Sequence, residues 1–364
     1  MTRTSNGDSE GWTEADTDTR PAFTRRDWLI VFFLVIASIQ CVRGYYYVNV
    51  STLDWSTYAH GTAELPYQGR VGMIDVLRWA ENSPYMIRGA AKLGRMLLRP
   101  YLEPMSVEKF TSLLAAIFSM LLIQAYIIHY GWRHRYRLWW LPDVLLLAIS
   151  FIELSVRSES AMWTPYDLPH ALLFGIAILC ALDRQWYFVL PLFALDVPWR
   201  ETSIFLIAIC VPLFYVSEAV AWRQSKTRTI QTILLTAAMG IYWAAVRATI
   251  YAHYRQNGTD AYVHSTYNVH ALLLPNHWTQ LLGAGGYLLI FILLEWRRAT
   301  ARQQIILWGF LICAPVILLY GQWTELRIWI EWTVPLAAIA ATELQNYFYD
   351  CYGGTKTSTA ITTA

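Results

Sequence analysis

The run WLIVFFLVIASIQCVRGYYY, Trp28 to Tyr47, and the segment NVSTLDWSTYAHGTAELPYQGR, Asn49 to Arg70, together decide the fold. The first has a single charge, Arg43, and as a helix rising ~1.5 Å per residue it is long enough for the ~30 Å hydrocarbon core of a bilayer. The second is therefore the first polar stretch beyond a membrane span. It sets Asp54, His60, Glu64 and Arg70 beside a bilayer surface, among Trp55, Tyr58, Pro66 and Tyr67.

Similar apolar runs recur at 108–130, 138–156, 167–182, 186–198, 202–222, 229–250, 278–296, 303–321 and 327–348. With the first run they make ten spans. The runs at 167–182 and 186–198 are short, and Pro191 and Pro198 interrupt the second, so a re-entrant pair there lowers the count to eight. The expected fold is an all-α polytopic membrane protein. Composition agrees: hydrophobic residues are 56% and charged residues 15%, against roughly 25% charged in soluble domains. Mean hydropathy is +0.32. Cys41, Cys180, Cys210, Cys313 and Cys351 fall in or at the ends of apolar runs, which argues for small buried hydrophobes rather than a disulfide framework.

The net charge of +2 says little, but the placement of the basic residues says more. Arg25 and Arg26, then Arg133, Arg135 and Arg137, then Arg184, then Arg223, Lys226 and Arg228, then Arg297, Arg298 and Arg302 all fall on one side of the alternation. Lys and Arg in short loops mark the cytoplasmic side. Both termini are thus expected inside, with a disordered cytoplasmic tail over 1–26, a membrane domain over 27–348 and a second tail over 349–364. The outer side receives the long first loop, 48–106, and the turns at 158–167, 196–202, 251–277 and 322–327. Within the first loop, Arg88, Lys92, Arg95 and Arg99 recur at helical spacing opposite Ile87 and Ala90. That pattern predicts an amphipathic interfacial helix over 84–99, preceded by a short one over 72–80.

A charge near mid-membrane costs at least about 2.5 kcal/mol on insertion scales, so charges at span ends point to a cavity or a partner. Glu153 with Arg157, Asp167 with His170, Asp196, Arg200 and Glu201, and Glu325, Arg327 and Glu331 all belong to outer ends. They are expected to converge near Asp54 and Arg70. Structural roles are also open: Glu153 and Arg157 have the spacing of an ion pair within one helix, and His170 suits a hydrogen-bonded core histidine. No phosphate-binding glycine loop, zinc-ligand spacing or nucleophile elbow occurs, so ATP-driven transport and zinc proteolysis lose support.

Four features carry a resemblance. Asp54 in the first outer loop is followed by Pro66-Tyr67-Gln68-Gly69-Arg70. Tyr166-Asp167-Leu168-Pro169-His170 stands at the mouth of a span, Arg200-Glu201-Thr202 at an outer turn, and Glu325-Leu326-Arg327 at the entry to the last span. Together they resemble the multi-span glycosyltransferases of the C-type fold, in particular the bacterial branch related to protein mannosyltransferases and lipopolysaccharide-core glycosyltransferases. The resemblance spans roughly 28–348. It implies a polyprenyl-phosphate-linked sugar as donor, an extracytoplasmic hydroxyl on a glycan, lipid or protein as acceptor, and Asp54 as general base. Many members carry two adjacent acids in this loop, whereas Asp54 is followed by Trp55, so Glu64 is the substitute base.

The residues suit that chemistry by themselves. Arg70, Arg200 or Arg327 can hold a leaving phosphate through bidentate contacts. Asp167, His170, Glu201 and Glu325 complete the expected substrate pocket, and outer aromatics such as Tyr166 and Trp199 can stack on sugar faces. No cofactor is expected; the outer carboxylates are scattered and supply no ligand set at fixed spacing that would support a divalent metal. Membrane lipids are expected partners and nucleic acid is not. The bacterial inner membrane is the expected location, and a transporter or flippase of a lipid-linked saccharide or anion is the alternative reading.

Overall fold

The computed structural model describes residues 23–48, 53–65, 67–97, 105–134, 136–155, 164–216, 222–258, 265–275, 277–278, 283, 292–293, 296, 299–320 and 329–352. Among these residues the chain is helical and forms no strand. In order, the helices are α1 (Arg25–Val48), α2 (Trp55–His60), α3 (Ile74–Glu81), α4 (Pro84–Leu97), α5 (Val107–Arg133), α6 (Leu141–Ser155), α7 (Asp167–Leu182), α8 (Trp186–Asp196), α9 (Phe205–Val216), α10 (Trp222–His253), α11 (Ser265–Leu272), α12 (Ala301–Tyr320) and α13 (Ile330–Tyr352). Three single turns of 3-10 helix, Tyr67–Gly69, Val71–Met73 and Glu201–Ile204, join some of them.

Local chemistry sets the ends. Thr24 and Asp27 close the start of α1 reciprocally: the Thr24 amide donates to Asp27 Oδ2 at 2.9 Å and the Asp27 amide to Thr24 Oγ1 at 3.3 Å, the logic of a capping box. Ser106 caps α5 by accepting from the Lys109 amide. Three helical stretches, Arg25–Tyr46, Val107–Arg133 and Lys226–His253, are long and apolar enough to cross a membrane. Shorter apolar helices lie at Asp167–Leu182, Trp186–Asp196, Glu201–Val216 and Ala301–Ile317. Most of the expected run at 278–296 lies outside the described residues. Outward-facing Ile233, Leu234 and Ile241 on α10 keep its surface apolar, as a lipid-facing helix requires. The chain is membrane-associated and all-α.

Helix α13 is the axis of the bundle, buried without interruption from Trp329 to Ala341. Helix α7 lies against it so closely that a Cβ on Gly175 would stand 2.5 Å from Val334 Cβ; only glycine permits this crossing. On one side of the pair, α1, α5 and α6 contribute Val42, Leu113 and Ile149 to a common core. On the other, Phe193, Ile209 and Phe310 from α8, α9 and α12 pack with Phe174 and Trp332. Cys41, Cys180, Cys210 and Cys313 are buried free thiols; Cys351 lies at the end of α13 and its side chain is outside the description.

The described residues of the segment between α1 and α5 form a folded layer at one end of the bundle. Leu53, Tyr58, Met73 and Leu77 form a small core with Tyr166, packed on by Trp199 and Tyr254. Gly72 meets the Trp199 ring so tightly that a Cβ could not be added without displacement. From the end of α10, Asn257 Nδ2 donates to Gly61 O at 2.7 Å and Ala63 O at 3.0 Å. The helices foreseen at 72–80 and 84–99 are present as α3 and α4. Arg88 and Lys92 are exposed and Ala90 is buried, while Arg99 and the side chain of Arg95 lie outside the described residues. Glu153 accepts a hydrogen bond from Thr333 on α13; its expected partner Arg157 is also outside them.

Candidate functional site

Of the charges foreseen at the outer ends, Asp167, His170, Asp196, Arg200, Glu201 and Glu331 gather with Arg70 in two adjoining layers beneath the first loop. The deeper layer is built where three helices end. Asp167 and His170 share a face of the first turn of α7, Asp196 is the last residue of α8, and Glu331 lies in the first turn of α13. Carboxylates at the N-termini of α7 and α13 are favoured by the positive ends of those helices. Pro198 stops α8 from continuing, leaving Arg200 extended (φ −148°) and Thr202 on a single turn of 3-10 helix.

His170 bridges the layer. Its Nδ1 lies 2.7 Å from Asp196 Oδ1 and its Nε2 2.7 Å from Glu331 Oε2. Thr202 Oγ1 donates to the same Glu331 oxygen at 2.6 Å. Arg200 Nη1 stands 3.8 Å from Asp167 Oδ1 and 3.9 Å from Glu331 Oε2, an ion pair without hydrogen-bond contact. Asp167 Oδ2 accepts from Tyr45 OH at 2.7 Å, and that hydroxyl accepts from the Thr164 amide at 3.0 Å. Asp167, His170, Asp196 and Glu331 have no solvent exposure. Yet Asp196 Oδ2, Glu331 Oε1 and Arg200 Nε and Nη1 have no hydrogen-bond partner among the described residues. Such atoms are costly to bury unmet, about 1–3 kcal/mol each, and mark where water or a ligand group would be held.

The second layer is partly open. Arg70 Nε donates to Glu201 Oε2 at 3.1 Å and Nη1 to Tyr166 OH at 2.8 Å; the guanidinium also lies over the Tyr166 ring, 4.9 Å from its centroid. Arg247 holds the other oxygen, Glu201 Oε1, and donates to Gly69 O at 2.8 Å. Burial alone would raise the Glu201 carboxyl, but Arg70 and Arg247 outweigh it and hold the group at about 2. Burial opposes the charge of Arg70 likewise, and Tyr166 and Glu201 restore it. Side-chain exposure is 15% for Arg70 and 28% for Glu201, so this layer, unlike the first, meets the outside.

Arg70, Asp167, His170, Arg200 and Glu201 are thus brought together, with Tyr166 and Glu331 among them. Asp54 is not at their centre. It caps α2, Oδ1 accepting from the Ser56 and Thr57 amides at 3.0 and 3.4 Å, and it forms no ion pair among the described residues. Its neighbours Leu53 and Trp55 turn inward to the loop core while Asp54 stays exposed. Its link to the cluster runs through Tyr58, four residues or ~6 Å of helix away, whose hydroxyl donates to Arg70 O and whose ring centroid is 6.3 Å from that of Tyr166. Glu64 is exposed. Glu325 and Arg327 lie outside the described residues.

Sequence reasoning missed Arg247 and Tyr45. Arg247 carried a usable signal, a lone charge three residues before the end of the run 229–250; Tyr45 carried none that separates it from Tyr46 and Tyr47. Among the described residues no group of His, Cys, Asp and Glu is arranged to hold a metal ion. The chain matches no protein-family model, no curated protein and no solved structure.

Proposed function

We propose that the protein is a polyprenyl-phosphate-sugar-dependent glycosyltransferase of the inner membrane, with ten spans, both termini cytoplasmic, and the two-layer site on the outer side. The observation that carries the reading is the gathering of Arg70, Arg200 and Arg247 with Glu201 and Tyr166 directly under the loop that bears an exposed carboxylate. Asp54 Oδ1 is committed to the cap of α2, whereas Oδ2 makes no hydrogen bond among the described residues. Arg70 Nη2 is likewise unused there. The acceptor oxygen attacks the anomeric carbon, the bond from that carbon to the lipid phosphate oxygen breaks, and the phosphate leaves with the electron pair beside Arg70. The hydroxyl proton goes to Asp54 Oδ2. One direct displacement inverts the anomeric centre.

The test is Asp54→Asn, read as transfer of radiolabelled sugar from a polyprenyl-phosphate donor in proteoliposomes. Asn caps a helix about as well as Asp, so the loop keeps its fold while the base is lost. Transfer should fall about 10²–10⁴-fold, the range of general-base assistance. Unchanged transfer removes the mechanism. The transport reading draws on a different observation, the short helices interrupted by Pro191, Pro212 and Pro315 around the buried His170 bridge. It predicts flux of a lipid-linked saccharide across the same vesicles with no transfer product, and that flux abolished in His170→Leu.

A further inference from the structure

A line of buried polar groups that neither layer uses runs along α6. Asp143, Ser150 and Glu153 are buried and, at 3.6 residues per turn, fall on one side of that helix. Gln124 Nε2 of α5 donates to Asp143 Oδ2 at 2.8 Å, and Glu153 accepts from Thr333 of α13. Bonds at the two ends fix the register of the neighbouring helices. At one end Trp139 Nε1 donates to Asp27 Oδ1 at 3.3 Å, the Leu138 amide donates to Gln345 Oε1 at 3.4 Å, and Tyr136 and Thr342 share a hydrogen bond at 2.6 Å. At the other end Glu153 meets Thr333, and Tyr45 donates to Asp167. Helix α6 therefore runs parallel to α1 and antiparallel to α13.

This register sets the heights. Counted from the contact of Asp27 with Trp139, Ser38 of α1 and Ser150 of α6 both stand ~16 Å along their helices, and both are buried. Counted from the contact of Glu153 with Thr333, Asp143 and the buried Glu343 both stand ~15 Å toward the opposite end. Among the described residues Ser38 Oγ, Ser150 Oγ and Asp143 Oδ1 have no hydrogen-bond partner; unmet buried polar atoms are where ordered water is held. From Asp143 to Ser150 the rise is ~10 Å, the reach of about three waters spaced ~2.8 Å apart, and α13 meets α6 in this core with the small side chains of Ala337 and Ala338. Beyond Glu153 the line enters the deeper layer, since Thr333 is next but one to Glu331, which is bonded to Thr202, the neighbour of Glu201. From Asp27 to Tyr45 α1 rises ~27 Å, close to the ~30 Å of a hydrocarbon core.

We propose that this line conducts protons between the open layer and the opposite end of the bundle. Asp143 takes up and releases each proton at Oδ1, and Ser150 and Ser38 carry the water that passes it to Glu153. Only O–H bonds form and break, and each group that gives up a proton is recharged from its neighbour. Carboxylates within a membrane bundle are the usual stations of such relays. The oxygens come singly at separate heights, which suits a proton; among the described residues no group of His, Cys, Asp and Glu is arranged for a metal ion. The inference rests on the bundle crossing the bilayer and not on the glycosyltransferase reading.

The experiment reconstitutes the full chain in vesicles that hold a trapped pH-sensitive dye, imposes a potassium diffusion potential with valinomycin and follows proton uptake. Wild-type vesicles should take up protons faster than protein-free ones. Asp143→Asn should reduce uptake to the protein-free rate, and Asp143→Glu should keep it. Ser150→Val and Ser150→Thr supply the second arm: the two side chains are alike in size and differ in the hydroxyl, so uptake should be lost in the first and kept in the second. Circular dichroism and size exclusion matching the wild type certify each preparation. The proposal is overturned if wild-type uptake equals that of protein-free vesicles, or if Asp143→Asn and Ser150→Val both conduct as the wild type does. It is also overturned if the vesicles pass sodium and no protons, which would make the line a cation path.

Discussion

The two layers of the candidate site use the same residue types to opposite effect. In the deeper one, three carboxylates, a histidine and an arginine are closed off from solvent, and His170 holds two of the carboxylates at 2.7 Å. In the shallower one, two arginines share the single carboxylate Glu201 and remain in touch with the outside. A sealed network is costly to build and more costly to break, because any survivor is a charge buried without its counterpart. A partly open one is cheap to build, and its ions can exchange a protein partner for a ligand. The difference teaches that the deeper layer holds the ends of α7, α8 and α13 together while the shallower one is the surface that solvent can reach.

The largest expected effect is therefore in the sealed layer. Replacing His170 by Leu takes the bridging partner from Asp196 and Glu331 at once and should cost about 3–5 kcal/mol, the range for breaking a buried pair by removing one member. Denaturant unfolding of the purified chain in detergent measures it. Stability equal to that of the wild type would mean the layer is hydrated and does not clamp the bundle.

The open layer should respond less in stability and more to pH. Glu201→Gln leaves Arg70 and Arg247 facing each other, and with water at hand the cost should be about 1–2 kcal/mol. The folded chain holds the Glu201 carboxyl at about 2, below its ordinary 4.5. Its stabilisation is therefore complete above pH 4.5 and is lost as pH falls toward 2. Unfolding followed from pH 6 to pH 2.5 should show a steeper acid loss in the wild type than in Glu201→Gln. Parallel curves would separate Glu201 from the two arginines.

How much of this was legible in the sequence follows from what each signal encodes. Alternation of spans and the one-sided basic loops placed Arg70, Asp167, His170, Arg200 and Glu201 at a common end, because the register of helices across a membrane is written in hydropathy. The partition into sealed and open layers was not legible. It depends on the rotation of α7, α8 and α13 about their axes, and these helices are apolar nearly all round, so periodicity names no face. The close approach of α7 to α13 at Gly175 and Val334 is likewise a contact between residues with no sequence signal of their own. Asp54 shows the converse. An acidic residue directly ahead of Trp55-Ser56-Thr57-Tyr58 is a helix N-cap signature, and reading it only as a base overlooked the structural work the same carboxylate does.

That double duty yields the smallest effect and the finest division of the comparison. Asp54→Ala removes the cap of α2 and should cost about 0.5–2 kcal/mol, whereas Asp54→Ser, which caps about as well as Asp, should cost little. Both variants lack the carboxylate. If Asp54 serves the open layer only by holding α2, and so Tyr58, against Arg70 O, Asp54→Ser should restore transfer along with stability. If its free Oδ2 takes the acceptor proton, stability returns in Asp54→Ser and transfer does not. Unfolding and transfer measured on the same two preparations thus divide the capping oxygen from the reacting one, within a single side chain.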